Sequence, residues 1–272
     1  MRLNAVKVLG IPITNVSKKE ILEEIQKYLT RVAINGQKSI KIFTPNTEQL
    51  VRAQRDPSFA GVLNRADISL PDTVGVVWAG HVLTKNGPEK PIPGVEFMED
   101  LVQLATSRHV PIGLIGGRGN LAVETLNCLR QKYGLLQDSW ADDGPEIEGD
   151  TLPDDIYFQR LARRIIREET RIVFVAFGPP KQEYFIVRLA KELSTIYDLR
   201  SIVLMSVGGS FDIISGRLRR APVWMRTMGL EWLWRLILEP RRIRRQLALI
   251  EFVWLVIREK LPAWKYDRRY RK

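Results

Sequence analysis

At 272 residues, with 45% hydrophobic and 27% charged composition, the chain has the make-up of a folded globular protein with room for one large domain or two small ones, which excludes a disordered chain. Its formal net charge of +11 resides in residues 217–272, where 16 of the 42 Lys and Arg stand against five acids, so a near-neutral body carries a basic tail. One cysteine, Cys128, and two histidines, His81 and His109, exclude an internal disulfide and any zinc cluster of familiar spacing, and they fit a reducing, cytoplasmic compartment.

The first twenty residues have too short an apolar run for a signal peptide. Residues 247–257, interrupted by Glu251, are too few to cross a bilayer, although they can lie on one. Residues 6–13 read as a short strand. Ser17 and Glu20 then have capping-box spacing, and Ile21, Leu22, Ile25, Tyr28 and Leu29 follow at helical intervals. Residues 39–43 alternate as a strand, and Thr44-Pro45-Asn46-Thr47-Glu48 crowds polar groups at its carboxyl end. A short helix is predicted over 60–66. A strand over 67–70 leads into Pro71-Asp72-Thr73.

From residue 110 the pattern becomes regular. Residues 110–115, 171–177 and 201–207 read as buried strands, closed by Gly116-Gly117-Arg118-Gly119, by Gly178-Pro179-Pro180-Lys181-Gln182-Glu183 and by Gly208-Gly209-Ser210. A helix is predicted over 121–133. Strand, glycine turn and helix in repetition predict βαβ units and a Rossmann-like parallel sheet, an α/β fold flanked by helices. The three turns then share the edge outside the strands' carboxyl ends, where glycines admit backbone amides to a phosphate or ribose. Each turn alone is equally compatible with a structural cap.

The tail interleaves arginines with Trp224, Trp232, Trp234, Trp254 and Trp264. Residues 229–239 read as a helix stopped by Pro240, which opens another helix whose Ile243, Leu247, Ile250, Trp254, Ile257 and Leu261 form an apolar stripe. Something apolar must cover that stripe. The tail's charge suits a polyanion: nucleic acid, an anionic membrane or a phosphate-bearing ligand.

Several chemistries lack their motifs. There is no phosphate loop of ATPase type, no complete dinucleotide fingerprint after Gly117-Arg118-Gly119, no nucleophile elbow, and no Asp-x-Asp metal motif between hydrophobic residues. His81 and His109 read as structural. Asp72, at a strand end beside Thr44 and Asn46, is placed either to act as a general base on a hydroxyl or to form an Asx turn after Pro71. Gln182 and Glu183 are either pocket groups or helix caps.

Taken together, Thr44-Pro45-Asn46-Thr47-Glu48, Leu70-Pro71-Asp72-Thr73-Val74-Gly75, Pro93-Gly94-Val95-Glu96, Gly178-Pro179-Pro180-Lys181-Gln182-Glu183, Val207-Gly208-Gly209-Ser210-Phe211-Asp212 and the run from Arg220-Ala221-Pro222-Val223-Trp224-Met225 to Glu239-Pro240-Arg241-Arg242 resemble, in order, the WecG/TagA/CpsF glycosyltransferases. The resemblance implies inverting, metal-independent transfer of an N-acetylhexosamine-type sugar, such as N-acetylmannosamine, from a UDP-sugar to a polyprenyl-diphosphate-linked acceptor in cell-envelope polymer synthesis. It implies no cofactor. Asp72 matches the base, with Thr44 and Asn46 as its partners, and Gln182 matches a pocket glutamine. Arg235, Arg242 and Arg245 match arginines that close over the diphosphate. Gly116, Gly117, Gly178, Pro180, Glu183, Gly208, Gly209 and Lys90 complete the expected substrate-binding set. Two positions depart from the family pattern: Thr73 stands where it has glycine, and Pro91, preceded by Lys90, where it has arginine.

The expected organisation is a catalytic core over 1–216 and a basic helical appendage over 217–272 that closes the site and holds the protein peripherally at the inner face of the cell membrane, on anionic lipid. Self-association is a family-level expectation. The alternatives are a nucleic-acid-binding module that uses the tail, in place of a protein without nucleic-acid partners, or a UDP-sugar-binding protein without catalysis.

Overall fold

A computed structural model describes residues 3–30, 39–134, 136, 138–147, 149, 151–196, 201–227, 231–238 and 243–261; for residues 227, 232, 235, 238 and 243–247 it describes the backbone alone. Six strands form one parallel sheet: β3 (Ile40–Phe43), β4 (Ile68–Ser69), β5 (Ile112–Gly116), β6 (Trp140–Asp142), β7 (Ile172–Ala176) and β8 (Val203–Ser206). Their spatial order is β4-β3-β8-β7-β5-β6. Every residue of β5, β7 and β8 is buried, as expected of strands covered by helices on both faces. Thus the predicted parallel α/β fold is what the chain adopts.

Alternate strand residues feed two cores. Phe43, Val173, Val175 and Leu204 point to one face, covered by α2 (Thr47–Arg55), α3 (Pro57–Leu63), α4 (Val74–Leu83), α7 (Asp155–Arg167) and α8 (Lys181–Leu193). Ile42, Leu114, Phe174 and Met205 point to the other, covered by α1 (Lys18–Thr30), α5 (Gly94–Ser107), α6 (Leu121–Tyr133) and α9 (Ser210–Ile214). The two-residue period of a strand requires this division.

The single strand expected over 6–13 is a hairpin of β1 (Ala5–Val8) and β2 (Ile11–Thr14). Leu9 and Gly10 both take positive φ, 49° and 81°, as a two-residue turn of the primed type demands. Leucine at such a position is uncommon, so the turn leaves little trace in the sequence. The hairpin braces β4, because Thr14 Oγ1 accepts the Ser69 amide at 3.1 Å.

The tail folds back on the body through α10 (Val223–Thr227), α11 (Glu231–Leu238) and α12 (Ile243–Lys260). Ala221 and Met225 are buried, as are Phe252 and Val256 of α12, which joins the core between α2 and α4. Its docked face is therefore not the predicted stripe. Ile250, Trp254, Ile257 and Leu261 are 48–69% exposed, and the side chains of Ile243 and Leu247 lie outside those described. Among the described residues no helix is long and apolar enough to cross a membrane.

Candidate active site

Since the sheet is parallel, the carboxyl ends of all six strands open on one edge. At β4 this edge carries Asp72. Its Oδ1 accepts the backbone amide of Gly94 at 2.7 Å, so the carboxylate ties its own loop to the first residue of α5, 22 residues on. The junction is tight: a Cβ at Gly94 would meet Thr44 Cγ2 at 3.1 Å, closer than most such contacts, and Asp72 Oδ1 at 3.6 Å. The close approach sets Thr44, at the end of β3, beside Asp72. Pro71 reinforces it by accepting the Ile92 amide at 2.8 Å.

Thr73 caps α4 with φ −127°, ordinary extended backbone for any residue, so the turn needs no glycine here. Its Oγ1 is buried without a hydrogen-bond partner, one residue from Asp72. Lys90 is exposed, and Pro91 half-buried beside it. Asn46 caps α2 in a complete capping box: Asn46 Oδ1 accepts the Gln49 amide and Gln49 Oε1 accepts the Asn46 amide, both at 3.0 Å.

Beneath this edge runs a buried polar chain. Glu183 is wholly buried near the start of α8, and its Oε1 accepts from Gln182 Nε2 at 2.8 Å and from Gln49 Nε2 at 3.2 Å. Gln182, itself buried, accepts the Gly208 amide on Oε1 at 3.0 Å. Burial pushes the Glu183 carboxyl up to about 7, with Gln182, its own amide, Ser206 and Gln49 holding back the rise. Glu183 Oε2 and Ser206 Oγ are buried without a hydrogen bond of normal geometry. Pro180, buried and joined to Pro179 by a cis bond, precedes these residues; Gly178 and Gly208 are half-buried and Gly209 exposed at the strand ends above.

A cleft of about 330 Å³ lies on the β5, β6 and β7 side of the edge, lined among others by Gly117, Arg118, Asp143, Phe177 and Lys181. It sits where the chain leaves β5 toward β6 but leaves β7 toward β8, the switch point at which open α/β sheets bind ligands. Gly116, at φ 103°, precedes the lining residue Gly117 and packs against β7, where a Cβ would stand 2.7 Å from the carbonyl oxygen of Ala176. Asp143 Oδ2 accepts the Asn120 amide at 2.7 Å. Arg217 grips the turn from outside: it pairs with both oxygens of Glu124 at 2.7 and 2.8 Å and donates to the carbonyls of Arg118 at 3.1 Å and Gly119 at 2.6 Å. Two more tail arginines, Arg220 and Arg226, share Glu96 Oε1 at 2.7 and 3.2 Å in the first turn of α5.

The structure thus gathers Thr44 and Asp72 around Gly94, connects Asn46, Glu183, Gln182 and Gly208 through Gln49, and puts Gly117, but not Gly116, in the lining of the cleft. Arg242 lies outside the described residues, and so do the side chains of Arg235 and Arg245. Gln49, Asp143 and Arg217 were not singled out from the sequence as site residues, and Gly94 stood only in one of the strings that carry the family resemblance. For Gln49 a local signal existed in its capping-box spacing from Asn46. Its bond to Glu183, 134 residues away, had none. Among the described residues no group of three His, Cys, Asp or Glu is arranged to hold a metal ion.

A family model described as the glycosyl transferase WecG/TagA/CpsF family matches residues 6–266. The N-acetylglucosaminyldiphosphoundecaprenol N-acetyl-beta-D-mannosaminyltransferase of Bacillus subtilis (strain 168) is 29% identical over 251 residues, covering 92% of this chain and 90% of the relative. The protein of the same name from Staphylococcus aureus (strain NCTC 8325 / PS 47) is 26% identical over 255 residues, covering 94% and 93%.

Proposed function

The chain belongs to the WecG/TagA/CpsF family of glycosyl transferases, and from that premise we propose that it moves N-acetylmannosamine from a UDP-linked donor to an N-acetylglucosamine carried on a polyprenyl diphosphate, with inversion and without a metal ion. The observation that carries this reading is Asp72, a carboxylate fixed at the strand-end edge by the Gly94 amide, with Thr44 on the same glycine. Both relatives bear names for that donor sugar and that class of acceptor.

In the proposed step the acceptor hydroxyl oxygen attacks the anomeric carbon as its proton passes to Asp72. The bond from that carbon to the diphosphate breaks, and its electron pair leaves with UDP. Adjacent strands are spaced by about 4.8 Å, so the edge from β4 to β6 extends roughly 24 Å. An extended nucleotide sugar fits along it, with the nucleoside in the cleft by Gly117 and Asp143, the diphosphate over the turns at Gly178 and Gly208, and the sugar at Asp72. Arg118 and Lys181, which line the cleft, are the cations assigned to the phosphates on this side. Arg235, Arg242 and Arg245 complete the cation set, because a guanidinium fork suits a leaving diphosphate.

The acceptor's lipid places the reaction at a membrane surface. The division into a core over 1–216 and an appendage over 217–272 belongs to the same proposal: the exposed stripe of α12 and the basic residues of the tail hold the protein on anionic lipid.

The test is Asp72→Asn, assayed with UDP-N-acetylmannosamine and a polyprenyl-diphosphate-N-acetylglucosamine acceptor, with and without chelator. General-base catalysis contributes about 10²–10⁴-fold, so turnover should fall at least ~100-fold with donor affinity kept. Chelator should leave the wild-type rate unchanged. A folded variant that transfers sugar at the wild-type rate would remove Asp72 from the mechanism.

A further inference from the structure

We infer that Glu183 is a positioning residue for donor binding: from beneath the strand-end edge, its carboxyl oxygen holds Gln182 and Gln49 and, through them, the β8 and β3 ends of the pocket in register. The inference rests on the transferase reading but concerns a group that no substrate can touch, since Glu183 is wholly buried.

The geometry has two arms meeting at one oxygen. Along the first, Glu183 Oε1 accepts from Gln182 Nε2 at 2.8 Å, which fixes the amide so that its carbonyl oxygen faces outward to take the Gly208 amide at 3.0 Å. Gly208 has a positive φ of 52° and opens the turn leading to α9, so this one bond sets where the turn's backbone stands. Along the second arm, Oε1 accepts from Gln49 Nε2 at 3.2 Å, and Gln49 in turn exchanges two bonds with Asn46. A side-chain amide has both an acceptor and a donor end, and Glu183 Oε1 remains an acceptor for both amides when the carboxyl is ionised and also when its proton rests on Oε2. Glu183 therefore dictates which way both glutamines point. With an apolar residue in its place, either amide is free to rotate, and the Gly208 amide loses its assured partner.

A buried carboxyl also costs stability unless its partners compensate. Glu183 Oε2 is buried without a hydrogen bond of normal geometry, as is Ser206 Oγ beside it. A site optimised only for folding would favour an apolar residue or an amide here, which argues that orientation of the pocket is what the carboxyl serves.

The experiment compares wild type, Glu183→Ala, Glu183→Gln and Gln49→Ala for thermal unfolding, for UDP affinity by calorimetry, and for steady-state transfer with donor and acceptor varied separately. Losing a buried hydrogen bond is worth about two- to tenfold, so Glu183→Ala should raise the donor KM and the UDP Kd severalfold and leave the acceptor KM alone. Glu183→Gln, whose carbonyl oxygen accepts the same two bonds, should recover most of the loss. Gln49→Ala should give a smaller change of the same kind. A merely structural role would instead lower kcat through the active fraction, with both KM values unchanged, and that result overturns the inference. So does a folded Glu183→Ala with wild-type UDP affinity. If the wild type binds UDP but transfers no sugar, while UDP affinity falls in Glu183→Ala and returns in Glu183→Gln, the positioning role stands and the transferase reading fails.

Discussion

A carboxyl that ionises only near pH 7 inside the fold, against a usual value of 4.5, leaves a mark on stability whose sign is fixed. Between those values native Glu183 keeps its proton, whereas the unfolded chain has released it. The folded state therefore binds more protons, and stability falls as pH rises through that window, being highest at its acid end. The full swing is about 3 kcal/mol from the separation of the two values. Glu183→Gln cannot titrate and should escape it. Urea unfolding of both proteins across the window should show the variant gaining on wild type with rising pH, with the difference levelling off above about pH 8. Parallel curves would mean that the buried carboxyl does not change charge there. At the same scale Thr73, a departure from the family pattern, proves conformationally ordinary. What it changes is chemistry, since its Oγ1 adds a buried hydroxyl next to Asp72 that glycine lacks.

Among the elements, α12 behaves least as its sequence pattern suggests. The stripe of Ile250, Trp254, Ile257 and Leu261 has helical spacing that normally marks a core-facing side, yet Phe252 and Val256 do the packing and the stripe faces out. A helix with apolar residues on two faces can dock by only one, and periodicity does not say which. If the exposed face meets lipid, Trp254→Glu with Ile257→Glu should weaken binding to anionic vesicles at least tenfold, because burying each such side chain is worth about 1.5–3 kcal/mol. Thermal unfolding should barely change, since neither residue belongs to the core. Vesicle binding equal to wild type in a sedimentation assay would show that the stripe serves another purpose.

Other elements were legible in proportion to how local their determinants are. The strands β5, β7 and β8 and the helix α6 stand out because burial on two faces produces continuous apolar runs and glycine turns mark their ends. The helix α4, apolar nearly all round, has no period to read, and β6 is only three residues long. The candidate site divides the same way. Asp72 and Thr44 announce themselves as polar groups at strand ends, but the Gly94 junction and the Gln49–Glu183 bond exist only once distant segments meet.

For the molecule as a whole, two of the places at which the described part of the basic tail is fastened to the body call for different experiments. The first is the core itself: with Phe252 and Val256 fully buried against α2 and α4, removing residues 217–272 uncovers apolar surface. At about 1.5–3 kcal/mol for each buried side chain, the truncated protein should be less stable by roughly 3–6 kcal/mol. Its loss of turnover and vesicle binding, which we expect, would then be inseparable from a damaged fold. The second is the rim of the cleft, where Arg217 spans Glu124 and the carbonyls of Arg118 and Gly119. Exposed ion pairs add little to stability, so Arg217→Gln should leave the melting temperature nearly unchanged. The variant nonetheless releases the turn that lines the cleft proposed for the nucleotide, and the donor KM should rise severalfold while vesicle binding persists. Arg217→Lys keeps the charge without the planar fork that reaches three partners at once, and it should resemble the glutamine variant more than wild type. A lysine variant with wild-type donor KM would show that only charge is needed at this position, and that the tail contributes nothing to the shape of the cleft.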